Sequence, residues 1–152
     1  MQRRMQRALS VVLGVVLLAV GAPVLAQPVA VKSSEVKWSD MKGAPGWKQA
    51  VLVGDPEKPG PYVERIKIPP NATVPPHSHP DTENITVLAG SFGIGEGSKF
   101  DKSKGTMLEV GSFYMLPANT VHYAWSGPKG VTLQIHGVGP SGMSMTDPAK
   151  KQ

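Results

Sequence analysis

No cysteine occurs in the 152 residues, so the chain has no disulfide scaffold, no thiol chemistry and no cysteine to take a lipid anchor after Ala26. Helical patterning is also missing: no long stretch repeats its apolar residues with the 3.6-residue period of an amphipathic helix. Residues 27–152 hold no basic stripe, which removes the electrostatic footprint of a nucleic-acid binder. Histidine is scarce, with four in the whole chain. Three of those four fall in two short segments, and the functional reading turns on them.

The first 26 residues read as a secretory signal peptide. Arg3, Arg4 and Arg7 precede an apolar run from Ala8 to about Val20, followed by Pro23 and a Val24-Leu25-Ala26 cleavage triplet. The apolar stretch nearly reaches spanning length, but its cleavage site favours removal over an uncleaved anchor. The Arg3-Arg4 pair resembles a twin-arginine signal, weakly, because Gln6 stands where an apolar residue is expected. Losing the three arginines leaves 13 basic against 11 acidic residues, a net charge of +2 in place of +5. The high whole-chain charge is therefore mostly a targeting effect. Periplasmic or secreted localisation follows, with no membrane contact after cleavage.

Glycine and proline are abundant, 17 and 15 of them, and they punctuate short runs rich in β-branched residues. Strands are predicted over Glu35–Ser39, Gln49–Val53, Tyr62–Ile68 and Glu83–Ala89, the last closed by Gly90. Further strands are predicted over Ser91–Gly97, Thr106–Val110, Ser112–Leu116, Thr120–Trp125 and Gly130–Val138. Ser98–Gly105 reads as an exposed loop with one helical turn. The class is all-β, a sandwich or barrel. The predicted organisation is a signal peptide over 1–26, a flexible lead-in over 27–34, one β-domain over 35–146 and a tail over 147–152.

The stretch Pro75–Gly90, PPHSHPDTENITVLAG, carries the chemistry. His77 and His79 are two apart, so on an extended backbone both imidazoles leave one face about 6 to 7 Å apart. Glu83 has the same parity. Imidazole nitrogen and carboxylate oxygen suit a borderline divalent ion, and such a set leaves coordination positions open. His122, in GSFYMLPANTVHYAWS, is placed to supply a fourth ligand from a second segment. Because ligation needs neutral imidazole, affinity is expected to fall below about pH 6.5.

These spacings resemble those of the cupin superfamily. Asn71, His77, His79, Glu83 and Gly90 follow the spacing of the first cupin motif, and Gly111, Pro117, Asn119, His122 and Ser126 that of the second. Asn71 and Asn119 stand where the family has glycine, and Ser126 where it has asparagine. Asparagine tolerates positive φ best among the non-glycine residues, so both turns remain available. The resemblance implies a single jelly-roll β-barrel holding one divalent transition metal: iron, manganese, zinc, nickel or copper. It also implies a small-molecule ligand or substrate and, commonly, a homodimer.

Other polar residues compete for roles. By alternation Gln134 and His136 face opposite to Val131, Leu133 and Ile135. If that apolar set packs outward, the two polar residues line the pocket as acid/base or ligand-orienting groups. Glu64 shares parity with Tyr62, Ile66 and Ile68, which allows an inward carboxylate, although a solvent-facing edge position is favoured; Asp81 is expected to cap the turn after Pro80. Tyr62, Phe92, Phe113, Tyr114, Tyr123 and Trp125 read as core or rim. Arg65 would clamp a carboxylate only if its strand faced the other way. The resemblance spans dioxygenases, isomerases and decarboxylases, so an exported metalloenzyme of dioxygenase or related type is the leading expectation. The alternative is a metal-dependent binding or sensor module without catalysis. N-terminal sequencing of the exported protein should begin at Gln27, and an intact Met1 on that material would overturn the cleavage assignment.

Overall fold

A computed structural model describes residues 27–146; the predicted signal peptide, 1–26, and tail, 147–152, lie outside the described residues. Residues 27–32 are exposed and lack regular structure. The strand expected at Glu35–Ser39 is replaced by a 3₁₀ turn at Ser33–Glu35, and regular pairing starts at β1, Ser39–Asp40. There follow β2 (Lys48–Val53), β3 (Gly60–Ile68), β4 (Thr73–Ser78) and β5 (Glu83–Glu96). A second 3₁₀ turn at Lys102–Lys104 precedes β6 (Thr106–Glu109), β7 (Phe113–Leu116), β8 (His122–Gly139) and β9 (Ser144–Met145). The class is all-β: the nine strands form one curled, jelly-roll-like antiparallel sheet. No helix among the described residues is long and apolar enough to cross a membrane.

Two long strands organise everything else. Gly90 does not end a strand, and Thr120–Trp125 and Gly130–Val138 are not separate; β5 and β8 each run through and pair with each other along their length. The first half of β5 lies against the second half of β8, and the second half of β5 against the start of β8. Ser91–Gly97 therefore pairs with β6 and β8, and does not fold back on Glu83–Ala89. Both strands bend at glycines with φ of 74° at Gly90 and 73° at Gly130. A Cβ at Gly90 would collide with the Gly130 carbonyl, and one at Gly130 would sit 2.6 Å from the Ile68 carbonyl oxygen. Glycine is thus required twice over, by backbone conformation and by space. The bends turn two half-sheets onto one core, shared by Tyr62, Ile68, Ile85, Val87 and Leu133 from one half and Phe92, Ile94 and Ala124 from the other.

The opposite face of the second half-sheet carries its own small aromatic cluster. Gly93 and Gly95 lie across from Trp125 and Tyr123. A Cβ on either glycine, or on Gly105, would strike those rings. Phe100 covers them, with ring centroids 5.1 Å from Tyr123 and 6.1 Å from Trp125, and the Tyr123 hydroxyl donates to the Asp101 carbonyl at 2.7 Å. Both rings are buried while pointing away from His122, as the alternation of β8 requires.

The approach to the histidine segment is latched by a serine. Ser126 is 2% exposed; its hydroxyl donates to the Pro69 carbonyl at 2.6 Å and accepts from the Ala72 N–H at 2.9 Å. Asn71 between them adopts φ 55°, the left-handed turn its residue type allows. Pro75 and Pro76 lie inside β4, where neither offers an N–H, and the ladder to β8 shifts register between Val74 and His77. That shift sets His77 opposite His122. Ser126→Ala leaves a carbonyl and an N–H without a partner, and urea denaturation should show a loss of about 1–3 kcal/mol. Gly90→Ala should cost at least about 2 kcal/mol. Wild-type midpoints for both variants would contradict the latch and the bend.

Candidate metal centre

Three imidazoles converge inside the curl. His77 lies one residue before the end of β4, His79 follows the strand in the turn toward β5, and His122 opens β8. Each offers a ring nitrogen within 4.8 Å of those of the other two. The ring centroids of His77 and His122 are 4.0 Å apart. His77 Nδ1 lies 2.8 Å from the Pro75 carbonyl, His79 Nδ1 2.8 Å from that of Gly142, and His122 Nδ1 3.1 Å from that of Thr120. A carbonyl only accepts, so each Nδ1 carries the proton and each Nε2 keeps a free lone pair. The tautomers and ring orientations are thereby set for ligation through Nε2.

Backbone contacts tie the three rings together. The N–H of Asn119, a residue with φ 61°, donates to the His79 carbonyl at 2.7 Å, so the turn before His122 holds the turn after His77. β9 pairs with β4 at His77 and Ser78, which brings Gly142 to His79. Glu83, at the start of β5 and 6% exposed, places Oε1 3.5 Å from His79 Nδ1. Its oxygens are not in the mutually close set that the histidines form. The site opens on a cavity of about 400 Å³, walled by Trp47, Ile66, Ile85, Phe92, Leu133 and Ile135. That volume suits a small molecule.

Residues 26–141 match the protein family described as the ChrR cupin-like domain. The chain belongs to that family. Its fold recurs in the polyketide cyclase RemF from Streptomyces resistomycificus, with TM-score 0.66 and 19% identity over 82% of this chain and 89% of that one. It recurs in KdgF from Halomonas sp., with TM-score 0.56 and 19% identity over 71% and 91% of the two chains. The DMSP lyase DddQ from Ruegeria pomeroyi aligns with TM-score 0.59 and 15% identity, covering 78% of this chain and 64% of that one. Identities this low carry the fold alone. No curated protein matches the chain.

Within this cupin-like domain the other candidates are distributed differently from expectation. The apolar set of β8 faces inward, since Leu133 and Ile135 wall the cavity. Gln134 and His136 consequently lie on the outer face, where Gln134 accepts from Arg65 Nε at 2.9 Å and its Nε2 sits 3.0 Å from His136 Nε2. His136 is exposed, and neither residue touches the imidazole triad. Arg65 is bound on that same outer face and does not clamp anything in the cavity. Asp81 caps no turn: it is buried, its Oδ2 accepts from the Tyr62 hydroxyl at 2.9 Å, and its Oδ1 has no partner among the described residues. Glu64 lines the cavity, because β3 lies between β2 and β8 and is not an edge. Alternation on β3 pointed to that position; the Gly142 carbonyl, being backbone, left no trace in the sequence.

Burial governs the protonation states. It lowers the pKa of His77 and His79, each opposed by the carbonyl bond to Nδ1, and together with neighbouring His77 it brings His122 to about 4. Glu83 moves the other way, to about 8, through burial first and then the nearby Asp81 and Glu64 carboxylates. The metal-free protein therefore loses Glu83's contribution to stability as pH rises from 4.5 through about 8. It loses His122's contribution as pH falls from 6.5 through about 4. His122 stays neutral well below pH 6.5, burial shifts His77 and His79 in the same direction, and the proton that competes with a cation near neutrality sits on Glu83. Zinc affinity from chelator competition should rise about tenfold per pH unit up to about pH 8, and Glu83→Gln should flatten that slope. A flat wild-type profile over the same range would remove Glu83 from the binding equilibrium.

Proposed function

We propose that this domain is an exported, divalent-metal-dependent enzyme acting on a small oxygen-bearing molecule, of dioxygenase or related type. His77, His79 and His122 would hold the ion through Nε2, and Glu83, which lies against His79, would be the carboxylate donor beside them. The observation that carries the reading is the triad itself: three neutral imidazoles, each with Nδ1 tied to a carbonyl, share an apolar cavity. Three rings with lowered pKa and free lone pairs form a donor set that fits iron, manganese, zinc, nickel or copper. When bound, such an ion supplies Lewis acidity and open positions, and a redox-active one also supplies electrons. The chain's own side chains do the rest. Ile85, Phe92, Leu133 and Ile135 exclude water, and Glu83 holds or releases a proton according to occupancy.

Export rests on the leader, and a homodimer is the assembly proposed with it. A metal-dependent binding or sensor module is the second reading, favoured by one observation: Gln134 and His136, the acid/base candidates, stand outside the cavity. Elemental analysis of protein from the exporting compartment, with oxygen uptake on a panel of small oxygenated compounds, separates the two. Redox-active metal with turnover supports the enzyme; zinc without turnover supports the module. His77→Ala, His79→Ala and His122→Ala should each lose stoichiometric metal, and His136→Ala should retain it. Wild-type protein that binds no divalent ion, or triad variants that bind it normally, would sink both readings.

A further inference from the structure

Glu64 is a carboxylate without a task in the site as described so far. It lies on β3 opposite Ile135 and Val51, on the inward side with Tyr62, Ile66 and Ile68. The neighbouring acids are engaged: Asp81 accepts the Tyr62 hydroxyl and Glu83 lies against His79. Glu64 makes no hydrogen bond or ion pair among the described residues. Burial, and secondarily Asp81, makes its charged form less favourable than in water. The lysine that lines the same cavity, Lys42, is exposed at the rim, where water screens it. Glu57, also on the lining, is exposed and of the same sign as Glu64.

Unlike Asp81 Oδ1, the Glu64 oxygens are not sealed from solvent, so the carboxylate is free to exchange water for a donor that a ligand brings into the cavity. We propose that Glu64 is the specificity residue of the cavity. It selects ligands that place a hydroxyl or ammonium donor against its carboxylate while their oxygen donors reach the imidazole triad, and it disfavours ligands that place a carboxylate there. This deepens the metal-centre reading and rests on it for the second anchor. The favoured substrate class is a neutral or cationic polyoxygenated compound with an apolar body to lie along Trp47, Ile66 and Ile135. Simple dicarboxylates belong to the rejected class.

Matched chelating probes test the assignment by calorimetry, with zinc as a redox-inert ion: 4-methylcatechol, dopamine and protocatechuate share one head group and differ in the charge they carry opposite it. Wild type should bind dopamine at least about tenfold tighter than protocatechuate, with 4-methylcatechol between them. Glu64→Gln should bring the three within about threefold of one another, and Glu64→Leu should do the same should the glutamine variant fold poorly. Lys42→Met should leave the ranking as it is. An unchanged ranking in both Glu64 variants overturns the proposal, as does a ranking that follows Lys42. Zinc stoichiometry equal to wild type in Glu64→Gln supports a role toward ligand, and its loss would place Glu64 at the ion and overturn the specificity role. Should zinc bind neither protein, the metal reading falls by itself, while the dopamine to protocatechuate ratio in the metal-free cavity still decides Glu64.

Discussion

Three imidazole N–H groups donating to three backbone carbonyls form the constraint on which the site depends. Packing rings with 4.0 Å between two of their centroids is tolerable only while they are neutral, and low pKa values keep them so. The carbonyls come from three places: β4 itself, the turn before β8 and the segment leading to β9. The triad is thus a readout of tertiary structure. Each ring is aimed by a different segment, and those segments are bound to one another through Asn119, Ser126 and the β4–β9 ladder.

Geometry at that scale is possible because β5 and β8 bend where they do. A straight pair would keep Glu83 and His122 at opposite ends of a flat ladder; folding at Gly90 and Gly130 brings the two half-sheets onto a common interior. The register shift at Pro75 and Pro76 makes the complementary adjustment on β4, setting His77 across from His122. Glycine at one pair of positions and proline at another therefore act on the same outcome from opposite directions, one by permitting conformations and the other by removing hydrogen bonds.

Much of this was legible beforehand, for identifiable reasons. The His-x-His spacing, the pairing with His122 and the positive φ at Asn71 and Asn119 are local properties that residue type and separation express directly. The misplacement of Gln134 and His136 has another cause. Parity groups them on one face, but which face turns inward depends on how the sheet curls, and Val131, Leu133 and Ile135 take the face that packs into the core. For Glu64, parity indicates the inward side, but edge or centre depends on which strands become neighbours, and that is not written in the strand itself. Gly90 read as a stop because a bend and an end look alike in one dimension. Ser126 was visible as a departure from the family pattern, yet its grip on Pro69 and Ala72 spans residues more than fifty positions away.

The aromatic cluster on the outer side has a bearing on the cavity that is easy to overlook. Two of the chain's largest rings, Trp125 and Tyr123, are set on bare glycine backbone and roofed by Phe100, so the wall gains thickness from the exterior. The seat for that outer layer is three glycines: a side chain at Gly93, Gly95 or Gly105 would drive the rings outward, away from Phe100 and the Asp101 carbonyl, and the wall behind the histidines would lose its backing.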